Sequence, residues 1–371
     1  MELNRRQVIA GTIAGMVSTS LLPSSPVLAA TAVMQSGSDI SWLPTYEAAG
    51  GKFFTTAGKP IDAFALMKAS GFKVARIRVF VNPSDNNGRL DNAIALATRA
   101  KAAGIDTCID LHFSDTWADP GHQITPAGWS TTDINLLASQ VRTYVVATLN
   151  RFKALNLPIT YVQLGNEISN GFMWPLGQMN SSSDQQWKNL AQLFNAATSG
   201  LREVAPTAKS VLHLDCGGDS SRVRWWLMKA SLYRIRDFDI VGLSFYPQWH
   251  GSIANLTETL EMVAWEFNKP VVIAETAYPY TTTRFGSDVI DVTKGVFTAY
   301  PATPAGQASY AKKLVAIMKK LSNNNGVGIW WWEGLATHVM KNKQVVWDSG
   351  MTNSTLVDGT GKALPSLAAL K

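Results

Sequence analysis

Leu164-Gly165-Asn166-Glu167 and Ile273-Ala274-Glu275-Thr276-Ala277-Tyr278 each close a short apolar run, with the two glutamates 108 residues apart. Four or five β-formers that stop at a polar group read as a buried parallel strand. Such a strand delivers that group to the carboxyl end of a sheet, where α/β sites are built. Working outward from these two runs, six more appear: Asp39–Trp42, Val74–Phe80, Thr107–Phe113, Ser210–Asp215, Ile240–Phe245 and Gly328–Trp332. With Tyr161–Leu164 and Val271–Glu275 they make eight strand candidates. Between them lie segments of helical period: Ile61–Ser70, Asn92–Ala103, Thr132–Ala154, Gln185–Val204, Arg222–Leu232, Leu256–Phe267 and Gln307–Leu321. Gly71, Gly104 and Asn325-Gly326 stand where helices stop.

Eight alternations of strand and helix predict a single (β/α)8 TIM barrel over residues 33–371. The structural alternative is an open doubly wound sheet. That fold carries a Gly-rich phosphate turn after its first strand, and none is found there. A length of 371 residues suits one large barrel with insertions. An apolar fraction of 46% is ample for its core. No low-complexity or charged linker divides the chain, and no internal repeat is visible.

The net charge of +6 falls to +5 once Glu2, Arg5 and Arg6 are set aside. Lys and Arg are scattered, without a basic block or nucleic-acid motif, so no nucleic-acid partner is expected. Thirteen tryptophans are more suggestive, because a flat indole face stacks on the C–H faces of sugars. Most of them are still expected in the core.

The first residues read as an export signal, residues 1–29, with cleavage after Ala29 or Ala32. Asn4-Arg5-Arg6-Gln7-Val8-Ile9 precedes a weakly apolar stretch from Ala10 to Leu22, the pattern of a twin-arginine leader, with the ordinary secretory route as the alternative. That stretch is too short and interrupted to span a bilayer. The processed protein is therefore expected to be periplasmic or extracellular, without a membrane anchor, and monomeric. Cys108 and Cys216 lie in or beside separate apolar strands and are expected to be free, buried thiols.

Chemistry gathers at the strand ends. Arg76 and Arg78 lie on the second candidate strand. Asp110, His112 and Asp115 lie on or after the third, Glu167 closes the fourth and Glu275 the seventh. A lone strand-end glutamate is more often a satisfied structural group. Two facing one cavity, however, can divide the labour of glycoside hydrolysis, one protonating the leaving oxygen and the other attacking the sugar carbon. A metal-dependent hydrolase using His112, His213 and Asp215 is a weaker alternative, because no His-x-His pair marks the first strand and His totals five. A barrel that binds glycans without turnover would not need both glutamates.

Six ordered motifs narrow this reading. They are Gly37-Ser38-Asp39-Ile40-Ser41-Trp42, the Ala75–Pro83 run, Ile109-Asp110-Leu111-His112-Phe113-Ser114-Asp115-Thr116-Trp117-Ala118-Asp119-Pro120-Gly121, Gln163–Glu167, Leu243-Ser244-Phe245-Tyr246-Pro247 and Glu275–Pro279. Together they resemble glycoside hydrolase family 53, the arabinogalactan endo-β-1,4-galactanases, within the clan whose catalytic glutamates sit on strands four and seven. The block after the third strand is the most specific of them.

The resemblance implies a retaining endo-β-1,4-galactanase working by double displacement. Glu275 would be the nucleophile and Glu167 the acid/base, with carboxyls about 5–5.5 Å apart. It also implies that Arg76 holds Glu275 ionised, that Tyr246 donates a hydrogen bond to it and that Asn166 meets the sugar 2-hydroxyl. Asp110, His112, Asp115 and Trp117 would line the same subsite, with Trp332 as its floor and Trp249 as a further sugar platform. Asp110 could equally form a buried ion pair with Arg78. Trp331 is expected to pack outward, His213 to be a satisfied core histidine, and His250 to serve either substrate or loop.

The partner is thus a polysaccharide, β-1,4-galactan; a mannanase or xylanase of the same clan is the nearest alternative. No cofactor is expected. Some bacterial members hold a structural calcium between the last two βα loops, but Thr281–Asp291 shows no dense ligand run, so that ion is not predicted. Two departures from the family pattern stand out. Cys216-Gly217-Gly218 replaces Asn-Gly-Trp, and Gly334-Leu335-Ala336-Thr337 replaces Pro-Ala-Trp. Loss of two aromatic platforms predicts that the benefit of longer substrates saturates early.

Overall fold

The computed structural model describes residues 33–84, 86, 88–179 and 183–371. The expected leader and its cleavage points lie outside the described residues. Eight parallel strands close into a barrel in sequence order: β1 Gly37–Asp39, β2 Val74–Val79, β3 Asp106–Leu111, β4 Tyr161–Leu164, β5 Lys209–Leu214, β6 Ile240–Ser244, β7 Val271–Thr276 and β8 Gly326–Trp331. β8 pairs with β1, and β1 with β2, which completes the ring. Each strand is followed by a helix: α1 Ala63–Ala69, α2 Leu90–Ala103, α3 Ile134–Ala154, α4 Asp184–Val204, α5 Ser220–Leu232, α6 Ile253–Glu266, α7 Pro304–Met318 and α8 Pro365–Ala369. The eight-strand barrel expected from the sequence is therefore the observed fold.

Helix starts differ by one to three residues from what apolar periodicity suggests, α1 and α3 later and the other five earlier, because polar caps set most of them. Asp133 accepts from the backbone N–H groups of Asn135 and Leu136, Asp219 from Arg222, and Thr303 from Gly306. Ser252 and Asn255 form a reciprocal capping box at α6. The first strand starts two residues and ends three residues before the expected Asp39–Trp42. Pro44 stands at the start of a short helix, Leu43–Ala48, and its fixed φ suits a helical first turn.

Alternation along the strands separates two cores. Outward residues such as Ala75, Ile77, Val79, Ile109 and Leu111 join the helices in one buried mass. Inward residues from the strand starts form a separate plug: Val74, Cys108, Tyr161, Val211, Ile240, Val272, Ala274 and Trp330. Two residues further along several strands the interior turns polar, with Arg76, Asp110, Gln163 and His213 all buried. That layer is the floor of the barrel mouth.

Candidate active site at the barrel mouth

Arg76 organises this layer. Its Nη1 lies 2.9 Å from Glu275 Oε1 and 3.3 Å from Asp39 Oδ2, and its Nη2 lies 2.9 Å from Asp110 Oδ2. Nε donates to Gln163 Oε1 at 3.0 Å, and Nη2 donates to Asn166 Oδ1 at 2.9 Å. Three carboxylates around a wholly buried guanidinium raise its pKa despite the cost of burial, so its charge is fixed. A buried ion must be this completely partnered to be tolerated.

Glu275 reaches the mouth through a β-bulge. Ala274 already points into the plug, so strict alternation would turn Glu275 outward toward the helices. Along β7, however, Leu243 of β6 pairs with Ile273 while Ser244 pairs with Glu275, and on the other side Ile329 and Trp331 pair with Ile273 and Thr276. The extra residue lets Ala274 and Glu275 both face the interior. Thr276 then faces outward, where its hydroxyl meets Tyr310 on α7 at 2.9 Å. The Tyr246 hydroxyl donates to Glu275 Oε2 at 3.0 Å.

Glu167 follows β4 after Gly165, which turns the chain at φ 86°. Glu167 itself is held at φ 51°, ψ 49°, a left-handed conformation uncommon for a glutamate. Its backbone N–H is directed at His213 Nδ1, 3.4 Å away. Burial pushes the Glu167 carboxyl well above the usual carboxylate range, and the charge of Glu275 adds to this. Burial also pushes Glu275 up, to about 7, with Arg76 and the Tyr246 hydroxyl pulling back. Arg76 is thus the charge partner of Glu275 expected from the sequence, and its effect is to limit the rise that burial imposes. With the cation and the phenol both on Glu275, the proton shared by the pair resides on Glu167. The surroundings thus favour a protonated Glu167 beside an ionised Glu275, the split that two carboxyls need to act differently.

A cavity of about 590 Å³ opens over the pair. Of the residues expected from the sequence, it is lined by Trp117, Asn166, Glu167, Tyr246, Trp249, Glu275 and Trp332. Asn166 is fixed by four neighbours, donating to the Ala118 carbonyl at 2.8 Å while its Oδ1 meets Arg76 and His213 Nδ1, each at 2.9 Å, and Gln163 Nε2 at 3.1 Å. A larger groove of about 770 Å³ runs beside α6 and α7, but its two glutamates are committed, Glu258 to Ser220 and Glu261 to Ser322.

Three expected lining residues lie elsewhere. Asp110 is wholly buried beneath the cavity and pairs with Arg76, not Arg78. His112 is also wholly buried; its Nε2 meets Asp110 at 3.0 Å, and its Nδ1 accepts from the Ala118 backbone. Burial lowers its pKa although Asp110 opposes this. Asp115 holds a loop together, accepting from Asn82 and from the Ala127 backbone. All three shape the site from behind it.

Other expectations hold or resolve. Trp331 packs outward, 6.2 Å from the Tyr310 ring, while Trp330 fills the plug. His213 is satisfied on both nitrogens, by Asn166 and by Ser244 at 2.9 Å. His250 shapes its loop, accepting from the Tyr246 backbone at 3.1 Å, and also lines the cavity. With the ring nitrogens of His112 and His213 committed, the metal-hydrolase arrangement has no free imidazole ligands. Cys108 and Cys216 are free and buried.

Sequence reasoning missed Gln163, Asp39 and Glu333 as members of the site. Glu333 pairs with Arg78 at 2.9 Å, is fully buried, and has its pKa raised well above normal by burial and by Asp39. The signal was available: Glu333 ends an apolar run just as Glu167 and Glu275 do. Asp215, noticed only as a metal ligand, lines the cavity near Arg222, 3.7 Å away.

This chain is similar to known proteins along nearly its whole described length. The family model for glycosyl hydrolase family 53 matches residues 35–370. An arabinogalactan endo-β-1,4-galactanase of Thermothelomyces thermophilus is 34% identical over 346 residues, covering 90% of this chain and 98% of that protein. Its namesake from Humicola insolens is 34% identical over 348 residues, covering 91% and 98%. A fungal β-1,4-galactanase structure superposes with a TM-score of 0.79 at 32% identity, covering 91% of this chain and 99% of the other. The family 53 catalytic domain of Ignisphaera aggregans superposes at 0.83 and 29%, covering 94% and 98%. With Glu167 after the fourth strand and Glu275 on the seventh facing one cavity, the chain belongs to glycoside hydrolase family 53.

Proposed function

We propose that this protein is an endo-β-1,4-galactanase that hydrolyses β-1,4-galactan, including the galactan of type I arabinogalactan, with retention at the anomeric carbon. The observation that carries the mechanism is the split environment of the two carboxyls, Glu275 beside Arg76 and Tyr246, Glu167 without a cation. Glu275 attacks the anomeric carbon as the bond to the leaving oxygen breaks, and Glu167 delivers its proton to that oxygen. Glu167, now a carboxylate, takes a proton from water, whose oxygen displaces Glu275 and restores both groups. Asn166, locked by four partners, is placed to bind the hydroxyl next to the reacting carbon, a contact that tightens as positive charge develops.

The relatives' named activity supports galactan over other β-glycans. The test sets galactan against mannan and xylan, and adds Glu275→Ala with azide. Galactan alone should be cut, and the variant, inactive by itself, should form an α-linked galactosyl azide because the anion fits the vacated nucleophile position. Turnover of xylan or mannan but not galactan would overturn the substrate; unaided activity of Glu275→Ala would overturn the nucleophile.

No helix among the described residues is long and apolar enough to cross a membrane. The finer reading is export by residues 1–29 through the twin-arginine route, motivated by Arg5-Arg6 and the weak hydrophobicity of Ala10 to Leu22. Replacing both arginines by lysine should strand the precursor in the cytoplasm, whereas blocking the general secretory route should not. Normal export of the double-lysine variant would refute this route.

A further inference from the structure

Ser244 ends β6 and is wholly buried, and its hydroxyl stands between two groups. On one side is His213 of β5, whose Nε2 lies 2.9 Å from Ser244 Oγ. On the other is the carboxyl of Glu167, for which Ser244 is the side-chain hydrogen-bond partner. A hydroxyl has one hydrogen to give. Which neighbour receives it decides whether Ser244 favours the carboxylate or the carboxylic acid at Glu167.

The far side of the imidazole settles which. His213 Nδ1 lies 2.9 Å from Asn166 Oδ1. That atom is the amide oxygen and not the nitrogen, because Arg76 Nη2 donates to it at 2.9 Å and Gln163 Nε2 at 3.1 Å, while Asn166 Nδ2 donates to the Ala118 carbonyl at 2.8 Å. An amide oxygen only accepts, so Nδ1 carries the hydrogen. The Glu167 N–H also points at Nδ1, but from 3.4 Å, and yields to the shorter contact. Burial and the nearby Arg76 charge keep the ring neutral, and a neutral imidazole has a single N–H. Nε2 is therefore a lone pair, and it takes the Ser244 hydrogen.

We propose that Ser244 and His213 are positioning residues for the acid: the imidazole takes the hydroxyl hydrogen, so Ser244 Oγ faces Glu167 only as an acceptor and holds that carboxyl in its protonated form. The proposal rests on the reading of Glu167 as the acid. A serine that donated to Glu167 would stabilise the carboxylate and lower its pKa. With its hydrogen committed to Nε2, the hydroxyl accepts the carboxyl O–H instead. Once Glu167 has given its proton to the leaving oxygen, its carboxylate faces the same lone pairs, which favours taking a proton from water in the second step. Two positions further along the chain, Tyr246 works in the opposite sense, donating to Glu275 at 3.0 Å and favouring its ionised form. Asn166 anchors the array, so one amide fixes both the sugar contact assigned to it and the tautomer that serves the acid.

The test measures kcat/KM against pH on galactan, and kcat on galactan and on an aryl galactobioside whose dinitrophenolate leaves without a proton, for wild type, Ser244→Ala and Glu167→Gln. In Ser244→Ala the acid loses the acceptor of its proton, so the basic limb should move to lower pH by about one unit, the size of one hydrogen bond. On that basic side kcat on galactan should fall about 10-fold, the same unit expressed as a rate, whereas the aryl substrate should keep most of its rate. A limb displaced to higher pH would show that Ser244 donates to the carboxylate and would overturn the proposal. So would an unmoved limb, or equal losses on both substrates with a lower Tm, the mark of packing alone. Should Ser244→Ala fail to fold, Ser244→Cys, close in shape and a weak acceptor, must move the limb the same way. Glu167→Gln keeps the two failures apart. Loss of galactan turnover with the aryl substrate still cut upholds the acid, so a contrary result in Ser244→Ala then overturns the Ser244 and His213 assignment alone. Normal galactan turnover in Glu167→Gln would overturn the acid and the proposal with it.

Discussion

Glu275 is a buried carboxylate kept usable by two contacts, the Arg76 guanidinium and the Tyr246 hydroxyl. The sign of its titration sets the acid side of the pH profile. On the proposed mechanism Glu275 must be ionised to attack, so activity should fall as pH drops through its pKa, about 7. Glu167 must be protonated, so activity falls again as pH rises through its raised pKa. In Tyr246→Phe the carboxylate loses a donor that lowers its pKa, and the acid limb of kcat/KM should move to higher pH. A hydrogen bond to a charged group contributes about 1.5–3 kcal/mol, so the plateau should also drop by about 10- to 100-fold. An acid limb that stays in place in the variant would mean that Tyr246 does not contact the ionised nucleophile. Legibility at this scale was uneven. Both glutamates, Asn166, Tyr246 and the tryptophans could be read from strand ends and motifs. Asp110, His112 and Asp115 share the same strand end but face neighbours instead of the cavity, and whether a side chain meets substrate or a partner is a tertiary fact.

At the scale of elements, seven barrel strands and seven of the helices were readable because apolar runs and helix stops carry local signals, whereas the first strand, Gly37–Asp39, has no apolar run and meets the expected span only at Asp39. The last helix, Pro365–Ala369, is too short to show a period. The bulge in β7 was not readable either: Ile273-Ala274-Glu275 looks like a regular strand, and only its pairing with both neighbours reveals the extra residue. Gly218 shows how one departure from the family pattern is built into the backbone. A Cβ there would sit 1.6 Å from the His250 carbonyl oxygen, so a tryptophan could not be restored without moving the short helix Pro247–His250. Because His250 in turn accepts from the Tyr246 backbone, that helix is coupled to the nucleophile's hydrogen-bond donor. The lost platform and the close approach of these two loops are one structural change.

For the whole molecule, the question is what closes the barrel rim where the long loops after β7 and β8 meet. The first contributes Val289 to the cavity wall and the second Trp332 and Met351, so their mutual position shapes the site. They are sewn together by protein groups. Val289 N–H donates to the Gly350 carbonyl at 2.9 Å, Tyr280 N–H to Asn353 at 2.8 Å, and Asn353 Nδ2 to Ile290 at 2.9 Å. At the centre, wholly buried Asp288 accepts from the Thr352 backbone and hydroxyl through Oδ1 and from the Phe285 backbone through Oδ2. Phe285 stacks on His338 at 4.2 Å. A calcium ion between such loops would need several carboxylate and carbonyl oxygens free to turn toward it, yet both oxygens of Asp288 already accept protein donors. Chelator treatment should therefore leave Tm and galactan turnover unchanged, and added calcium should raise neither. Asp288→Ala should instead destabilise the protein by about 1–3 kcal/mol, the cost of orphaning buried donors, and lower turnover by displacing Val289 and Met351. A fall in Tm with chelator, restored by calcium, would show that an ion does what Asp288 is assigned to do here.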